Sequence, residues 1–269
     1  MEQFKCRWDF KERCDYIMKI LFIGTGAADW VLKDRKGNEF FRRLTAVKIN
    51  NNLMIDCSAD TVDYVNSNGE LKDVKNVLIT HTHSDHYSPE TIIDLLGNDV
   101  RVWAEKESEK MILSDMPQLK DSVLEIFTEN TVGEYTVIPV PAGHSVANRD
   151  QTPVNYIISD GEKTIFWGCD SAWIPNYSWH EMKKYKYDLI VLDGTLGDAD
   201  GDCRIFEHNN ISMIKEMSNT IKSQNLLKEN GKIMISHMSR YAHKEHNELQ
   251  KQLDDVGIMV AYDGLEIEF

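Results

Sequence analysis

The sequence lacks several features that would place it among membrane, secreted or multidomain proteins. No run of 18 apolar residues occurs, so no membrane-spanning helix is expected. The first 17 residues contain no apolar core of signal-peptide length and are interrupted by charges. There is no Ser/Gly/Pro-rich linker, low-complexity stretch or evident repeat. A chain of 269 residues with this composition is expected to form one large cytoplasmic domain, or two tightly merged halves.

Cysteine is scarce and irregularly spaced. The five cysteines are odd in number, and no two of them show the Cys-x-x-Cys spacing of many zinc and redox sites. This pattern favours reduced thiols in a cytosolic protein over a disulfide framework. Cys57 and Cys169 stand next to predicted strand ends and are interpreted as small buried residues.

Basic residues are fewer than acidic ones. The chain has 30 Lys and Arg and 44 Asp and Glu, which gives a formal net charge of −14 at pH 7. An acidic chain repels polyanions at long range, so nucleic acid is disfavoured as a partner. A small phosphodiester remains compatible with this charge, since bound divalent cations would make a pocket locally positive.

What the sequence does contain is a dense cluster of metal-binding residue types. Residues 80–86 read Thr-His-Thr-His-Ser-Asp-His, which places three imidazoles and one carboxylate within six positions. Neutral imidazole and carboxylate are preferred donors for zinc and its neighbours. The apolar residues before this cluster predict a buried strand, and Ser88 followed by Pro89 predicts a helix start. The cluster is thus predicted to form a ligand loop between a strand and a helix.

Three further candidate ligands lie at the ends of apolar runs. His144, Asp170 and His237 each follow a segment that is typical of a buried strand. A sheet can direct side chains at the carboxyl ends of its strands into one crevice. These residues are therefore predicted to complete a site begun by the His-rich loop.

The ordered pattern of HxHxDH, a lone His, a lone Asp and a lone His resembles the metallo-β-lactamase fold in its dinuclear phosphodiesterase branch. The resemblance covers the chain from about residue 18 to the end, and it implies an α/β fold with four layers, an αββα sandwich, over residues 18–269. Residues 1–17 are interpreted as an N-terminal extension. Predicted strands alternate with helices, and the Asn triplet at residues 50–52 predicts a hairpin turn. Helices are predicted over residues 59–66, 89–96, 175–184, 210–222 and 243–253.

The resemblance and the donor chemistry together assign two metal sites. Asp170 can bridge both ions because a carboxylate has two oxygens. Two divalent ions roughly 3.5–4 Å apart, zinc by preference and otherwise manganese or iron, would hold a bridging hydroxide that attacks a phosphoryl group. Asp56 matches the family's carboxylate that orients these ligands, although a strand-end turn would also explain it. The predicted ligands are His81, His83 and His144 at the first site, and Asp85, His86 and His237 at the second. Asp85 is also predicted to be a catalytic residue.

A carboxylate and a histidine further along the chain indicate which families of the phosphodiesterase branch this sequence resembles. Asp193 ends a predicted strand, and His208 precedes a helix whose N-cap is Asn209 or Asn210. The pair resembles the one that protonates the leaving oxygen in tRNA 3′-processing ribonuclease (tRNase Z) and in phosphoribosyl cyclic phosphate phosphodiesterase. A histidine oriented by a carboxylate suits a general acid. The alternative for His208 is a capping contact at the helix start.

Departures from both families favour the small-substrate enzyme. Residues 237–241, His-Met-Ser-Arg-Tyr, are similar to the ribonuclease signature His-Phe-Ser-x-Arg-Tyr but have one residue fewer, which weakens the transfer of a role to Arg240 or Tyr241. The long Gly/Pro-rich arm of the ribonucleases is not visible, and neither is the Cys-rich zinc site of the cyclic phosphodiesterase. Where Asp193 stands, the ribonuclease usually has Glu, whereas the cyclic phosphodiesterase resembles this chain in having Asp. The preferred function is a metal-dependent phosphodiesterase acting on a small, cyclic-type phosphodiester.

Three alternatives remain open: a tRNA 3′-processing-type endoribonuclease, an acyl hydrolase of the lactonase, thioesterase or β-lactamase type, and a non-catalytic metal-binding protein. The Asp193/His208 pair favours phosphoryl chemistry over acyl transfer. A homodimer is plausible by family analogy alone.

Other residues carry two interpretations each. Trp30, Trp173 and Trp179 either wall the pocket or pack in the core, and Arg42 and Arg43 either reach a substrate phosphate or lie in a solvated loop. The Gly-Thr-Gly segment at residues 24–26 is interpreted as a tight turn and less readily as a phosphate cradle. The remaining histidines, His180, His243 and His246, are expected on solvated helix faces.

Overall fold

Two seven-stranded β-sheets form the centre of the computed structural model, which describes residues 17–35, 38, 40–67 and 70–269. The strands alternate with helices along the chain, as the sequence pattern predicts. The strands are β1 (Lys19–Gly24), β2 (Ala46–Ile49), β3 (Leu53–Ile55), β4 (Asn76–Leu78), β5 (Arg101–Glu105), β6 (Val123–Leu124), β7 (Asn130–Val132), β8 (Tyr135–Pro141), β9 (Val154–Ser159), β10 (Thr164–Gly168), β11 (Tyr187–Asp193), β12 (Leu227–Ser236), β13 (Ile258–Val260) and β14 (Glu266–Glu268).

The described residues also form six α-helices and two short 3-10 helices. None of these helices is both long and apolar enough to cross a bilayer. The α-helices are α1 (Thr61–Ser67), α2 (Pro89–Leu96), α3 (Lys106–Asp115), α4 (Asn176–Met182), α5 (Ile211–Ser223) and α6 (His246–Asp254), and the 3-10 helices cover Leu32–Asp34 and Cys203–Phe206.

The two sheets share one pattern of strand pairing. Their orders are β14-β1-β2-β3-β4-β5-β6 and β13-β12-β11-β10-β9-β8-β7. Pairing is antiparallel from β14 to β3 and parallel from β3 to β6, and the second sheet changes from antiparallel to parallel at β10. The carboxyl ends of neighbouring parallel strands lie at one edge of their sheet. This places the ends of β10, β11 and β12 side by side, and likewise those of β3 and β4.

Apolar residues on both faces of each sheet create a four-layer structure. On β11, Leu189 and Val191 belong to the cluster between the sheets, whereas Ile190 and Leu192 belong to a cluster shared with α4, α5 and α6. A third cluster joins the first sheet to α2 and α3. Successive side chains on a strand point to opposite faces, so a strand buried on both sides needs an uninterrupted apolar run. The predicted αββα sandwich is confirmed.

Local signals position the His-rich loop as predicted. The Ser88 side chain accepts a hydrogen bond from Thr91 N at the start of α2, and Pro89 occupies the first turn. The hairpin between β2 and β3 turns at Asn50, whose φ of 48° lies in the left-handed region that asparagine tolerates. Cys57 and Cys169 are buried as free thiols, in agreement with their interpretation as small buried residues.

Several elements differ from the sequence-based expectation. The sequence pattern predicts neither the helix α3 nor the short strands β6, β7 and β13, and it predicts the strand before His237 only over residues 233–236, whereas β12 begins at Leu227. The helix α6 begins at His246, so His243 precedes it. The ring of His243 forms a hydrogen bond with the carbonyl of Gly194, and burial lowers its pKa to about 4. The expectation that His243 lies on a solvated helix face is therefore wrong.

Candidate metal centre

Strand ends from both sheets meet at the candidate site. The His-rich loop at residues 80–86 follows β4 of the first sheet, whereas Asp170 and His237 follow β10 and β12 of the second. His86 and His237 approach each other from opposite sheets, and their Nε2 atoms are 3.1 Å apart. The site is thus built between the two sheets.

All seven predicted metal ligands are brought together. They form two groups, in each of which every residue offers one donor atom. Within a group, all donor atoms lie within 4.8 Å of one another. Asp170 belongs to both groups, which is the position that a bridging carboxylate requires. The first group consists of His81, His83, His144 and Asp170, and the second of Asp85, His86, Asp170 and His237.

Ring nitrogens face one another at short distances within these groups. In the second group, His86 Nδ1 lies 2.7 Å from Asp56 Oδ2, which can only accept a proton, so this nitrogen donates. The Thr195 hydroxyl donates to Asp193 Oδ2 (2.8 Å) and is therefore free to accept from His237 Nδ1, also at 2.8 Å. In the neutral imidazoles this directs both Nε2 lone pairs toward each other, and such lone pairs repel unless a cation lies between them. The arrangement fits a metal ion.

The first group shows the same convergence. His83 Nδ1 lies 3.0 Å from His81 Nε2 and 3.2 Å from His144 Nε2. Asp170 Oδ2 is 3.2 Å from His81 Nε2 and also 3.2 Å from His86 Nε2, so one carboxylate oxygen spans the two groups. Three imidazoles and a carboxylate are a donor set that suits zinc and related divalent ions.

Asp56 fixes the His-rich loop through hydrogen bonds. Besides His86, it accepts hydrogen bonds from the backbone N–H of Thr80 at 2.9 Å and from the Thr80 hydroxyl at 3.0 Å, and it is fully buried. Such contacts fix the orientation and the tautomer of a ligand imidazole. Asp56 therefore lies where an orienting carboxylate was predicted.

Three residues at the strand ends adopt an uncommon backbone conformation. Asp56, Asp170 and His237 have φ values of 58°, 55° and 62°. Left-handed backbone is unfavourable for residues with a side chain, and it persists where the surrounding structure enforces it, often at functional sites. Here it turns each chain sharply at the end of its strand, so that the side chain projects into the site.

The electrostatics of the centre favour positive charge. Burial alone would lower the pKa of His86, but the carboxylates of Asp85 and Asp56 outweigh it and hold that pKa well above its usual range. Burial would raise the pKa of Asp85, yet His86 and His237 hold it far below its ordinary value. Buried carboxylates thus remain ionised and stabilise cationic partners.

His208 is held by two carboxylates beside the first group. Its Nδ1 lies 2.9 Å from Asp170 Oδ1 and 3.4 Å from Asp193 Oδ2. Burial opposes the charged imidazole, but Asp170 and Asp193 raise the pKa of His208 to about 10. The alternative role of helix capping is wrong, because the side chain of Asn210 caps α5 by accepting from Met213 N at 2.9 Å.

Burial shows the side from which the site is open. A third group of candidate donors consists of Asp170, Asp193, His208 and His237, and across all the groups six residues are buried, whereas His83, His144, Glu207 and His208 are partly exposed. Glu207 was not singled out from the sequence, although it directly precedes His208. It forms a fourth group with His144 and His208, with donor atoms within 4.8 Å of one another. The exposed side of the centre is called the mouth below, and it comprises these four residues.

Several secondary candidates lie elsewhere. Trp30 is buried and donates its indole N–H to Met238 O at 2.8 Å, which makes it a core residue, whereas Trp173 is 48% exposed. Arg42 is buried against Thr25 Oγ1 and Ala261 O, and Arg43 forms an ion pair with Asp63. The interpretation of both arginines as part of a solvated loop is therefore wrong.

The glycines of the 24–26 segment are required by close packing. A Cβ atom added at Gly24 would lie 1.9 Å from Leu44 O, and one at Gly26 would lie 2.5 Å from Trp30 Cδ1. Neighbouring backbone and side chains occupy the space that a larger residue would need. Gly24 ends β1 and Gly26 forms isolated β-bridges with Leu44 and Met238, so the segment is extended and its interpretation as a tight turn is wrong.

Comparisons with known proteins agree with this fold and site. The family model of the β-lactamase superfamily domain matches residues 51–234. A search of curated protein sequences finds no match. Among solved structures, the metallo-β-lactamase fold protein YhfI from Bacillus subtilis has a TM-score of 0.72 at 17% identity, covering 94% of this chain and 100% of its own. A diphosphatase from the PhnP family has a TM-score of 0.71 at 19% identity, with coverages of 94% and 98%.

Human tRNase Z, short form, is also similar, with a TM-score of 0.64 at 15% identity and coverages of 93% and 98%. Identities at this level show a shared fold and do not by themselves transfer an activity. The family match extends over more than half of the chain and includes the His-rich loop, His144 and Asp170. The chain therefore belongs to the β-lactamase superfamily, has the metallo-β-lactamase fold, and carries His/Asp clusters suited to divalent metal ions.

Proposed function

We propose that the protein is a metal-dependent phosphodiesterase that hydrolyses a small phosphodiester. The observation that carries this proposal is the position of His208, which lies between Asp170 and Asp193 at the mouth of a site with two groups of metal donors. A protonated imidazole beside the metal donors suits a reaction whose leaving group is an alkoxide. Acyl hydrolysis through the same centre has less need of such a residue.

The seven converging His and Asp side chains would hold two divalent ions, zinc by preference. The contact of His86 with Asp56 and that of His237 with Thr195 orient these two imidazoles before any ion binds. The chemistry that such a pair of ions supplies when bound is activation of water and polarisation of a phosphoryl oxygen.

The chain's own contribution to bond cleavage is proton delivery. In hydrolysis, the water oxygen forms a new bond to phosphorus, the ester P–O bond breaks, and the departing oxygen takes a proton. The hydrogen bond between His208 Nδ1 and Asp193 Oδ2 orients the ring, with Asp170 Oδ1 at 2.9 Å from the same nitrogen, and leaves Nε2 to carry the proton for the leaving oxygen. The Asp193 carboxylate is itself fixed by the backbone N–H groups of Thr195 (3.0 Å) and Asn209 (2.9 Å). General-acid catalysis of this kind typically contributes about 10²–10⁴-fold in rate.

The printed names of two similar structures, a diphosphatase and a tRNase, both denote enzymes that act on phosphoryl groups. They support a phosphoryl substrate here. Net charge favours a small phosphodiester over tRNA as the substrate, because a chain of charge −14 repels a long polyanion. A small phosphodiester is therefore the preferred substrate class.

A substrate panel tests the proposal. We expect zinc-loaded protein to hydrolyse bis-p-nitrophenyl phosphate or a 2′,3′-cyclic nucleotide faster than a lactone or nitrocefin. Metal content is measured on the same sample, so that inactivity from an empty site is recognised. If a lactone or a β-lactam were turned over faster than every phosphodiester, the proposed reaction would be wrong.

The endoribonuclease alternative has a separate observation in its favour. Residues 237–241 are similar to the ribonuclease signature, and Tyr241 is 78% exposed next to the site segment that carries His237. A precursor-tRNA transcript added to the panel distinguishes the two candidates. Endonucleolytic cleavage at the 3′ end, with no turnover of small diesters, would favour the ribonuclease.

A further inference from the structure

The mouth of the candidate centre contains a carboxylate that the proposed chemistry does not use. Glu207 lies immediately before His208 and directly after the 3-10 helix Cys203–Phe206. Its carboxylate is within 4.8 Å of donor atoms of both His144 and His208. A substrate that receives a proton from His208 must therefore bind close to a negative charge.

Glu207 is held in place by both its backbone and its side chain. Its backbone N–H donates to Arg204 O at 2.8 Å, and the Ser145 hydroxyl donates to Oε1 of the carboxylate. Ser145 follows His144, so this hydrogen bond connects the loop after β8 with the segment that carries His208. Within the described residues, no Lys or Arg forms a salt bridge with Glu207. The carboxylate thus presents its charge at the mouth.

We propose that Glu207 is a specificity residue that discriminates against doubly charged phosphoryl groups, so that the site accepts phosphodiesters and rejects phosphomonoesters. This inference rests on the proposed phosphodiesterase function. A phosphodiester carries one negative charge, whereas a phosphomonoester carries nearly two at neutral pH because its second pKa is about 6. Coulomb repulsion scales with the charge of the ligand, so Glu207 opposes the monoester about twice as strongly in free energy.

The same repulsion acts on the product. Hydrolysis of a diester gives a monoester, which gains the second charge while it still lies at the mouth. Repulsion by Glu207 then favours its release, and it also limits inhibition by inorganic phosphate. A carboxylate beside the leaving group further favours a neutral alcohol over an anionic leaving group such as phosphate.

Direct binding measurements test this inference without turnover. Zinc-loaded wild-type protein and the variant Glu207→Gln are titrated calorimetrically with inorganic phosphate and with dimethyl phosphate at about pH 8, where phosphate is a dianion. Glutamine keeps a carbonyl oxygen for the Ser145 hydroxyl and removes only the charge. If Glu207→Gln binds the dimethyl phosphate monoanion about tenfold more tightly than wild-type protein does, it should bind the phosphate dianion roughly a hundredfold more tightly. The reason is that the repulsion energy removed by the substitution is twice as large for the dianion.

The matched control is Glu162→Gln, which changes net charge equally at an exposed turn before β10, at the end of that strand opposite Asp170. We expect the control to alter neither affinity. Equal gains for the two anions, or no gain in Glu207→Gln, would overturn the inference. Loss of zinc from Glu207→Gln would also overturn it, since Glu207 would then be a metal ligand.

The outcome is separable from that of the proposed function. If the affinity ratio shifts as expected while no phosphodiester is hydrolysed, Glu207 discriminates by charge and the proposed reaction is wrong. If phosphodiesters are hydrolysed and the ratio does not shift, the reaction stands and Glu207 has no part in specificity.

Discussion

His208 shows how neighbouring residues change the properties of one side chain. The imidazole would titrate near neutrality in water, but Asp170 and Asp193 lie 2.9 Å and 3.4 Å from its Nδ1 and raise its pKa. The side chain is 14% exposed, so the ring remains accessible from the mouth, whereas Asp193 is fully buried. A protonated, accessible imidazole with fixed orientation is what a general acid requires.

Substitution of this residue tests that role. We expect His208→Ala to keep its metal content and to lose about 10²–10⁴-fold in kcat on a diester with an alkoxide leaving group. The loss should be much smaller for p-nitrophenyl esters, because p-nitrophenolate leaves without a proton. Asp193→Asn should give a milder loss, since the imidazole remains but its orientation and charge are disturbed. Equal losses on both kinds of ester would indicate a binding role for His208 instead.

Strand ends are the elements that made the site predictable. Each donor-bearing segment follows an apolar run buried on both sides, and such runs are visible without any structure, as at Thr164–Gly168 before Asp170. The assignment of these donors to two metal sites came from the resemblance and the donor chemistry, and the parallel order β10, β11, β12 brings the strand ends together. Periodicity thus located the donors, but only tertiary structure shows which donor atoms meet.

Elements with weak patterns were missed for physical reasons. The helix α3 has few apolar residues, and its N-cap is Glu105, a residue type that is uncommon at this position. The strands β6, β7 and β13 have two or three residues each, which is too short for a period-two pattern. Glu207 was missed because a lone glutamate has no sequence signature, and its proximity to His144 depends on the long-range fold.

The start of α5 is an element on which the position of His208 depends. Asn210 caps this helix through Met213 N and also donates to Asp200 Oδ1 at 3.1 Å, which fixes the preceding loop. We expect Asn210→Ala to lower the free energy of unfolding by about 1 kcal/mol, whereas Asn210→Ser keeps an oxygen that can cap the helix and should lose less stability. Urea denaturation measures both. Phosphodiesterase activity should fall in Asn210→Ala as the loop with His208 loosens, and unchanged stability and activity would contradict this role.

The molecule as a whole has its two halves joined at the candidate centre. Loops from the first sheet supply His81, His83, Asp85 and His86, and the second sheet supplies the remaining donors. Without cations, carboxylates and converging imidazole lone pairs lie at short distances in a largely buried place, which is unfavourable. Metal ions that bind only the folded state would remove this repulsion and hold the two sheets together.

Metal loading should therefore stabilise the entire fold. Each site adds about 2.7 kcal/mol when free metal is a hundredfold above its Kd. With two sites the thermal midpoint should rise by roughly 10–20 °C, at ~2–4 °C per kcal/mol for a domain of this size. Thermal denaturation of chelator-treated and zinc-loaded protein, with elemental analysis, measures the shift and should give two equivalents. His86→Ala should lose much of the shift, whereas His180→Ala, an exposed histidine on α4, should retain it. A midpoint that chelation leaves unchanged, or a metal content well below one equivalent, would show that the clustered His and Asp side chains do not bind metal.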